Sequence, residues 1–183
     1  DHEAMRTIAM NKWVDDQAPS PITIKFLMRD DVTFSDGTAL TAHDVVFTFE
    51  MIMNPQIEAP RSRAYYAKIR DVYALNDHEV VFEYREPYFR SLELAGSMAI
   101  LPKHFYEQFT ADEINSEPGL LMGSGPYRME TPTGWAPGKP LVLIRNQRYW
   151  GPWPAFERIS YREISNPITR LTTFRNGEID YFS

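Results

Sequence analysis

Cysteine is absent from this 183-residue chain. That excludes a disulfide framework, a thiol nucleophile and any zinc site built on thiolates. It leaves the compartment open, because exported proteins can also do without cysteine. No run of about 18 apolar residues occurs, so no segment reads as a membrane-spanning helix. Cations are outnumbered, 19 Lys and Arg against 25 Asp and Glu for a net charge of −6, which argues against nucleic acid as a partner. The histidines, His2, His43, His78 and His104, never recur at the spacing of a helical zinc site. Gly123-Ser124-Gly125 fails as a phosphate cradle. Arg128 stands where the third glycine is needed, no Lys-Ser/Thr pair follows, and Pro126 withdraws an amide donor. Met122 likewise breaks a G-x-S-x-G nucleophile elbow. Asp31, Thr33 and Ser35 imitate the start of a calcium loop, but Gly37 is misplaced and no distal Glu follows.

What is present is ordinary for a globular chain: 43% hydrophobic and 24% charged residues. The length fits one domain or two small ones and needs no staple. The 14 Pro, 11 Phe, 10 Tyr and 4 Trp imply many short elements joined by structured connections. The chain opens on Asp1 without a visible signal peptide and closes on Ile179–Ser183, which reads as a strand. It is therefore expected to be a piece of something longer.

Residues 1–21 are poorly periodic, and Pro19-Ser20-Pro21 would break any helix begun between His2 and Asp15. Ile22, Ile24, Phe26 and Met28 then alternate with Thr23, Lys25, Leu27 and Arg29, the pattern of a half-buried strand. Ser35-Asp36-Gly37-Thr38 reads as a turn. Thr41-Ala42-His43-Asp44 is a capping box, followed by Val45, Val46, Phe49, Ile52 and Met53 on one helical face, and Asn54-Pro55 ends the helix. Val72–Leu75 and Val80–Arg85 read as a hairpin around Asn76–Glu79. Short helices are expected over Tyr88–Ala95 and from Pro102, and a second capping box at Thr110–Glu113. After Pro118-Gly119, Arg128–Glu130 and Leu141–Arg145 are expected to pair as strands. Arg158–Ile164, a helix opened by Asn166-Pro167 and closed by Asn176-Gly177, and Glu178–Phe182 together read as a parallel βαβ unit. A domain boundary is placed near residue 118.

No convergent acid–base or nucleophile set emerges, so no enzyme and no cofactor is expected. Trp150 and Trp153 lie in a Gly/Pro loop and read as packing residues. Tyr65-Tyr66, in an irregular segment beside Arg61 and Arg63, offer apolar area with polar tips, as binding clefts use.

Several separated segments resemble the family 5 extracellular solute-binding proteins, the peptide- and nickel-binding receptors of ABC importers. The first is Phe26–Gly37 followed by Leu40–Glu50. Gly123-Ser124-Gly125-Pro126-Tyr127, Arg145–Gly151 and Arg170–Asp180 follow in the family's order. Gln147-Arg148 and His43 depart from the family's usual residues. The resemblance implies an α/β fold of the periplasmic-binding-protein type with two lobes. This chain would supply part of the first: a small α+β subdomain over 1–118, an incomplete α/β part with a mixed or parallel sheet over 119–183, and no second lobe. It implies a monomeric receptor, periplasmic or extracellular and either free or lipid-anchored, that binds oligopeptides or a similar small solute and delivers it to a membrane permease, without metal or cofactor. By the resemblance, the segment at Gly96-Ser97-Met98 and the loop at Tyr65-Tyr66 lie toward the cleft. Tyr181 is added because ligands of open α/β sheets bind beyond the carboxyl ends of strands. The alternatives are a free-standing interaction module, which requires a complete fold, and a hydrolase, which lacks its residues.

Overall fold

The alternating segments make the first sheet. In the computed structural model, which describes residues 22–182, β1 (Thr23–Leu27), β2 (Ile69–Asn76) and β3 (Glu79–Tyr84) form an antiparallel sheet ordered β1-β3-β2. The expected helix breaker at 19–21 and the segment before it lie outside the described residues, as does Ser183. On β1, Ile24 and Phe26 turn inward while Thr23, Lys25 and Leu27 stay exposed. Phe26 meets Phe82 edge-on at 5.6 Å. The central strand β3 buries Val80, Phe82 and Tyr84, and Val81 on its other face as well. The hairpin begins at Ile69, three residues earlier than the alternation alone suggests. Its turn is set by Asn76, whose side chain accepts the His78 amide at 2.9 Å.

The helix α1 (Ala42–Met53) lies on this sheet, with Ala42, Val45 and Phe49 packed over Ile69, Val72, Val80 and Phe82. Its N-terminus is closed by Asp44, which accepts from the Thr41 amide at 2.8 Å and the Thr41 hydroxyl at 3.0 Å. Short helices complete this half: α2 (Pro60–Tyr66), α3 (Ser91–Gly96), α4 (Lys103–Tyr106) and α5 (Ala111–Ser116). The second capping box is made, with the Thr110 amide donating to Glu113 at 2.7 Å and the Glu113 amide to the Thr110 hydroxyl at 3.3 Å.

Tyr84 is fully buried, and its hydroxyl donates to the Ser91 carbonyl. Burial pushes its pKa up to about 12. A raised value means that the folded chain holds this proton more tightly than the unfolded one. The stabilising contribution is therefore complete below pH ~10 and is lost as pH rises through the folded value. Burial raises Tyr106 as well, and burial together with Glu83 raises Tyr73. We expect the urea midpoint to fall between about pH 10 and 12. Tyr84→Phe should cost about 1 kcal/mol at neutral pH and make that alkaline fall shallower. Parallel curves for the two chains would show that Tyr84 does not carry it.

The second sheet orders β4 (Tyr127–Met129), β5 (Leu141–Arg145) and β6 (Arg158–Tyr161), all antiparallel. Next comes α6 (Pro167–Arg175), capped by Asn166, whose side chain accepts the amides of Ile168 at 2.9 Å and Thr169 at 3.1 Å. It closes through Gly177 at φ +73°. The expected parallel βαβ pairing is not formed. Among the described residues, β6 pairs only with antiparallel β5, and residues 178–182 make no strand. Caps and periodicity define where elements begin and end, but they do not say which strand a segment will pair with, even where an edge such as that of β6 stays open among the described residues. Here the segments after β6 and α6 line one concavity of about 960 Å³ instead of bonding each other. The apolar residues of this region stay uncovered among the described residues: Ile168 is 77% exposed and Tyr181 80%.

Three of the four segments that carried the family resemblance, all but Arg170–Asp180, meet at the joint between the two sheets. The Ser35 amide donates to the Gly123 carbonyl at 3.0 Å. Asn146 is 1% exposed; its side chain donates to the Gly125 carbonyl at 2.9 Å and accepts the Arg148 amide at 3.0 Å. Gly37 takes φ +100°, and a Cβ there would stand 3.0 Å from Arg148 Nε, so the turn requires glycine. Asp36 lies 2.6 Å from His104 Nε2. Burial raises its carboxyl, but the Thr38 amide and His104 outweigh that and hold it below the usual carboxylate range. These landmarks are joints of the scaffold.

Candidate functional site

A second, smaller concavity of about 320 Å³ opens between α1, α2 and the 97–101 segment. Thr48, Met51 and Ile52 come from α1, Ser62 and Tyr66 from α2, and Ser97, Ala99 and Leu101 from the strip that follows α3. Ile57, Ala59, Tyr106 and Ile114 complete the wall. Each wall is fastened by a specific bond. Arg63 donates to the carbonyls of Ile52 at 3.2 Å, Asn54 at 2.6 Å and Ile57 at 2.6 Å. It thereby satisfies carbonyls that the end of α1 leaves open and anchors α2 against them. The Thr48 hydroxyl donates to the Asp44 carbonyl at 2.7 Å and accepts the Leu101 amide at 2.8 Å. Asp44 accepts the Lys103 amide at 2.9 Å, so the 97–103 strip is stitched along α1. Asn115 of α5 accepts the Glu58 amide and donates to the Gln56 carbonyl, both at 2.8 Å.

The lining is apolar with a few hydroxyls and no charged side chain. The Ser97 hydroxyl donates to the Leu94 carbonyl at 3.0 Å and that of Tyr106 to the Leu120 carbonyl at 3.3 Å. Burial raises the Tyr106 phenol, which stays protonated at neutral pH. Such a wall can hold an apolar group and offer it a few neutral hydrogen bonds; it holds no general base or nucleophile pair. Among the described residues, no three His, Asp or Glu side chains come close enough to hold a metal ion. No helix there is long and apolar enough to cross a membrane.

Of the residues singled out from the sequence, Tyr66 and Ser97 come together in this concavity. Tyr65 is half-exposed, its ring edge-on to Tyr66 at 5.0 Å. Met98 is buried in the core beneath α1 and lines neither concavity. Tyr181 lines the larger concavity, between β6 and residues 178–182. Trp150 and Trp153 lie under guanidinium groups, Arg29 at 4.9 Å and Arg145 at 5.0 Å. Among the lining residues missed in the sequence, Ile57, Ala59 and Ser62 sit in a segment without periodicity. Only Arg63, between Pro60 and the tyrosines, hinted that the segment has a helix end to satisfy.

The profile of the bacterial extracellular solute-binding proteins, family 5 (Middle), matches residues 9–183. The periplasmic oligopeptide-binding protein OppA of Salmonella typhimurium is 29% identical in an alignment of 174 residues that covers 85% of this chain and 31% of that protein. The structure resembles NikZ of Campylobacter jejuni, solved with Ni(L-His), at a TM-score of 0.74 and 26% identity, covering 90% of this chain and 32% of that one. It also resembles the oligopeptide-binding AppA of Bacillus subtilis, solved with a nonapeptide, at a TM-score of 0.72 and 26% identity, covering 87% and 32%. The chain thus spans about a third of the length of these relatives, which are binding proteins and not enzymes. With a match that runs almost from end to end, the chain belongs to the family 5 bacterial extracellular solute-binding proteins.

Proposed function

We propose that this chain is part of the substrate-binding component of an ABC-type importer, which encloses an oligopeptide or a similar small solute between two lobes. The observation that carries the reading is the family match over residues 9–183. It is supported by a wall of hydroxyls and apolar groups with no reactive pair. Residues 1–118 form the small α+β subdomain of the first lobe, and 119–183 begin its α/β part. The second lobe comes from chain outside these residues. The uncovered apolar side of α6 and the concavity beside Tyr181 receive further chain of the same lobe. Tyr65, Tyr66 and Ser97 face the solute, Met98 supports that wall from behind, and Tyr181 approaches from the sheet. Closure is a hinge motion, driven only by tighter binding in the closed form. The receptor works as a monomer in a periplasm or at a cell surface, free or lipid-anchored, and hands its solute to the importer's permease.

Calorimetry on the whole receptor that carries this chain tests the reading. A mixture of di- to pentapeptides is expected to bind at one site per molecule, with Ni(L-His) titrated in parallel. Binding of the nickel chelate and of no peptide would move the solute class to metal chelates. No binding of either would overturn the reading.

A further inference from the structure

We propose that the concavity between α1, α2 and the 97–101 strip is a selective pocket for one uncharged, apolar side chain of the bound solute. This rests on the peptide reading above and adds to it the side-chain class that the site prefers. Three observations carry it. First, size: about 320 Å³ is at the small end of the ~300–1,000 Å³ typical of ligand pockets, too little for an oligopeptide and suited to a single residue. Second, chemistry: the walls are made by side chains such as Met51, Ile52, Ile57 and Leu101, with no Lys, Arg, Asp or Glu among them. A charged side chain placed there would lose its hydration and gain no partner. Third, the polar groups are unevenly committed. The hydroxyls of Thr48, Ser97 and Tyr106 are already bonded within the chain. Those of Ser62 and Tyr66 have no hydrogen-bond partner among the described residues, although both line the pocket. Two spare neutral hydroxyls beside an apolar hollow suit a side chain that enters the hollow while its own main-chain amide or carbonyl meets the hydroxyls. The walls are held by Arg63, Asn115 and Thr48, so the shape exists before a solute arrives.

The test uses the whole receptor and the tripeptides Ala-X-Ala, with X as Ala, Leu, Phe, Asp or Lys, measured by calorimetry. Leu or Phe should bind about tenfold or more tightly than Asp and Lys. Ala99→Trp, and separately Ala59→Leu, should fill the hollow and bring that ratio close to one. Tyr66→Phe should weaken all five peptides together, because it removes a main-chain partner and leaves the hollow. Binding of all five with no preference for Leu or Phe overturns the pocket and leaves the peptide reading standing. A preference that survives both filling substitutions overturns it in the same way. Failure of every peptide overturns the peptide reading and this inference with it.

Discussion

Replacing Phe34 by alanine is expected to lower the unfolding free energy of the chain by about 3–5 kcal/mol. Phe34 is fully buried, and it does not belong to the main core under α1. It forms a satellite cluster with Val32 and Leu40, closed by Met28 and Ile100. A cluster of so few side chains cannot collapse into the space that a lost ring leaves, so the cost belongs at the upper part of the usual range. The same ring stands 5.7 Å from His104, which touches Asp36. Its backbone closes the turn by accepting the Gly37 amide at 2.9 Å and donating to the Thr38 carbonyl at 2.8 Å. Emptying the cluster therefore loosens the Ser35–Gly123 contact that ties the two sheets. Phe34→Leu keeps most of the volume and should lose clearly less. Urea unfolding of the three chains side by side is the measurement. A loss below about 1 kcal/mol for Phe34→Ala, the size of a typical surface change, would show that the cluster does not hold the joint.

How much of this was legible beforehand depends on the range of each interaction. The capping boxes at Thr41 and Thr110, the Asn166-Pro167 helix start and the 69–84 hairpin all close within a few residues. Their residue types and spacing state the geometry directly. The wall of the candidate site does not close locally. Tyr66 and Ser97 share a hollow because Thr48 and Asp44 bind the 101–103 backbone more than fifty residues away, and no motif announces such a bond. The same limit explains the βαβ reading. Asn166, Gly177 and the alternation at 158–161 describe elements correctly, while the partner of a strand is a property of the whole sheet. Tyr66 and Met98 show the limit from the other side. Both read from the sequence as cleft residues, but only Tyr66 lines the hollow, while Met98 packs wholly into the core with Ile69, Tyr84 and Leu94.

The landmark segments illustrate a further point about motif reading. Gly123-Ser124-Gly125 resembles a phosphate-holding sequence in composition, and Ser35 falls in a segment that imitates the start of a calcium loop. In the fold these segments bind the scaffold: the Ser35 amide donates to the Gly123 carbonyl, the Asn146 side chain bonds Gly125 and Arg148, and Asp36 bonds Thr38 and His104. A motif whose backbone and side-chain groups are spent on contacts between distant segments builds a joint. A ligand needs polar groups that are left over, and among the wall residues those are Ser62 and Tyr66.

Asp44 gives the second large effect, and its near-isosteric variant separates charge from shape. The carboxylate is 6% exposed and accepts from the Thr41 amide, the Thr41 hydroxyl and the Lys103 amide. Asp44→Ala removes the helix cap and leaves the Lys103 amide and the Thr41 amide without their acceptor. The expected loss is about 3 kcal/mol or more, from a cap and two charge-assisted bonds. Asp44→Asn keeps the volume, but one oxygen becomes an NH2 group. Two backbone N–H groups approach the two oxygens, one each, so whichever way the amide is turned a donor faces a donor. Asparagine should therefore cost nearly as much as alanine. A merely space-filling role would make it almost neutral. Thr48→Val supplies the coupling test, since Thr48 holds the same strip through the Leu101 amide. In a double-mutant cycle, Asp44→Ala and Thr48→Val should each cost less in the other's presence, because either one frees the 101–103 backbone. Strict additivity would mean that the two bonds hold independent structures, and the wall of the candidate site would then not depend on α1 as a single stitched unit.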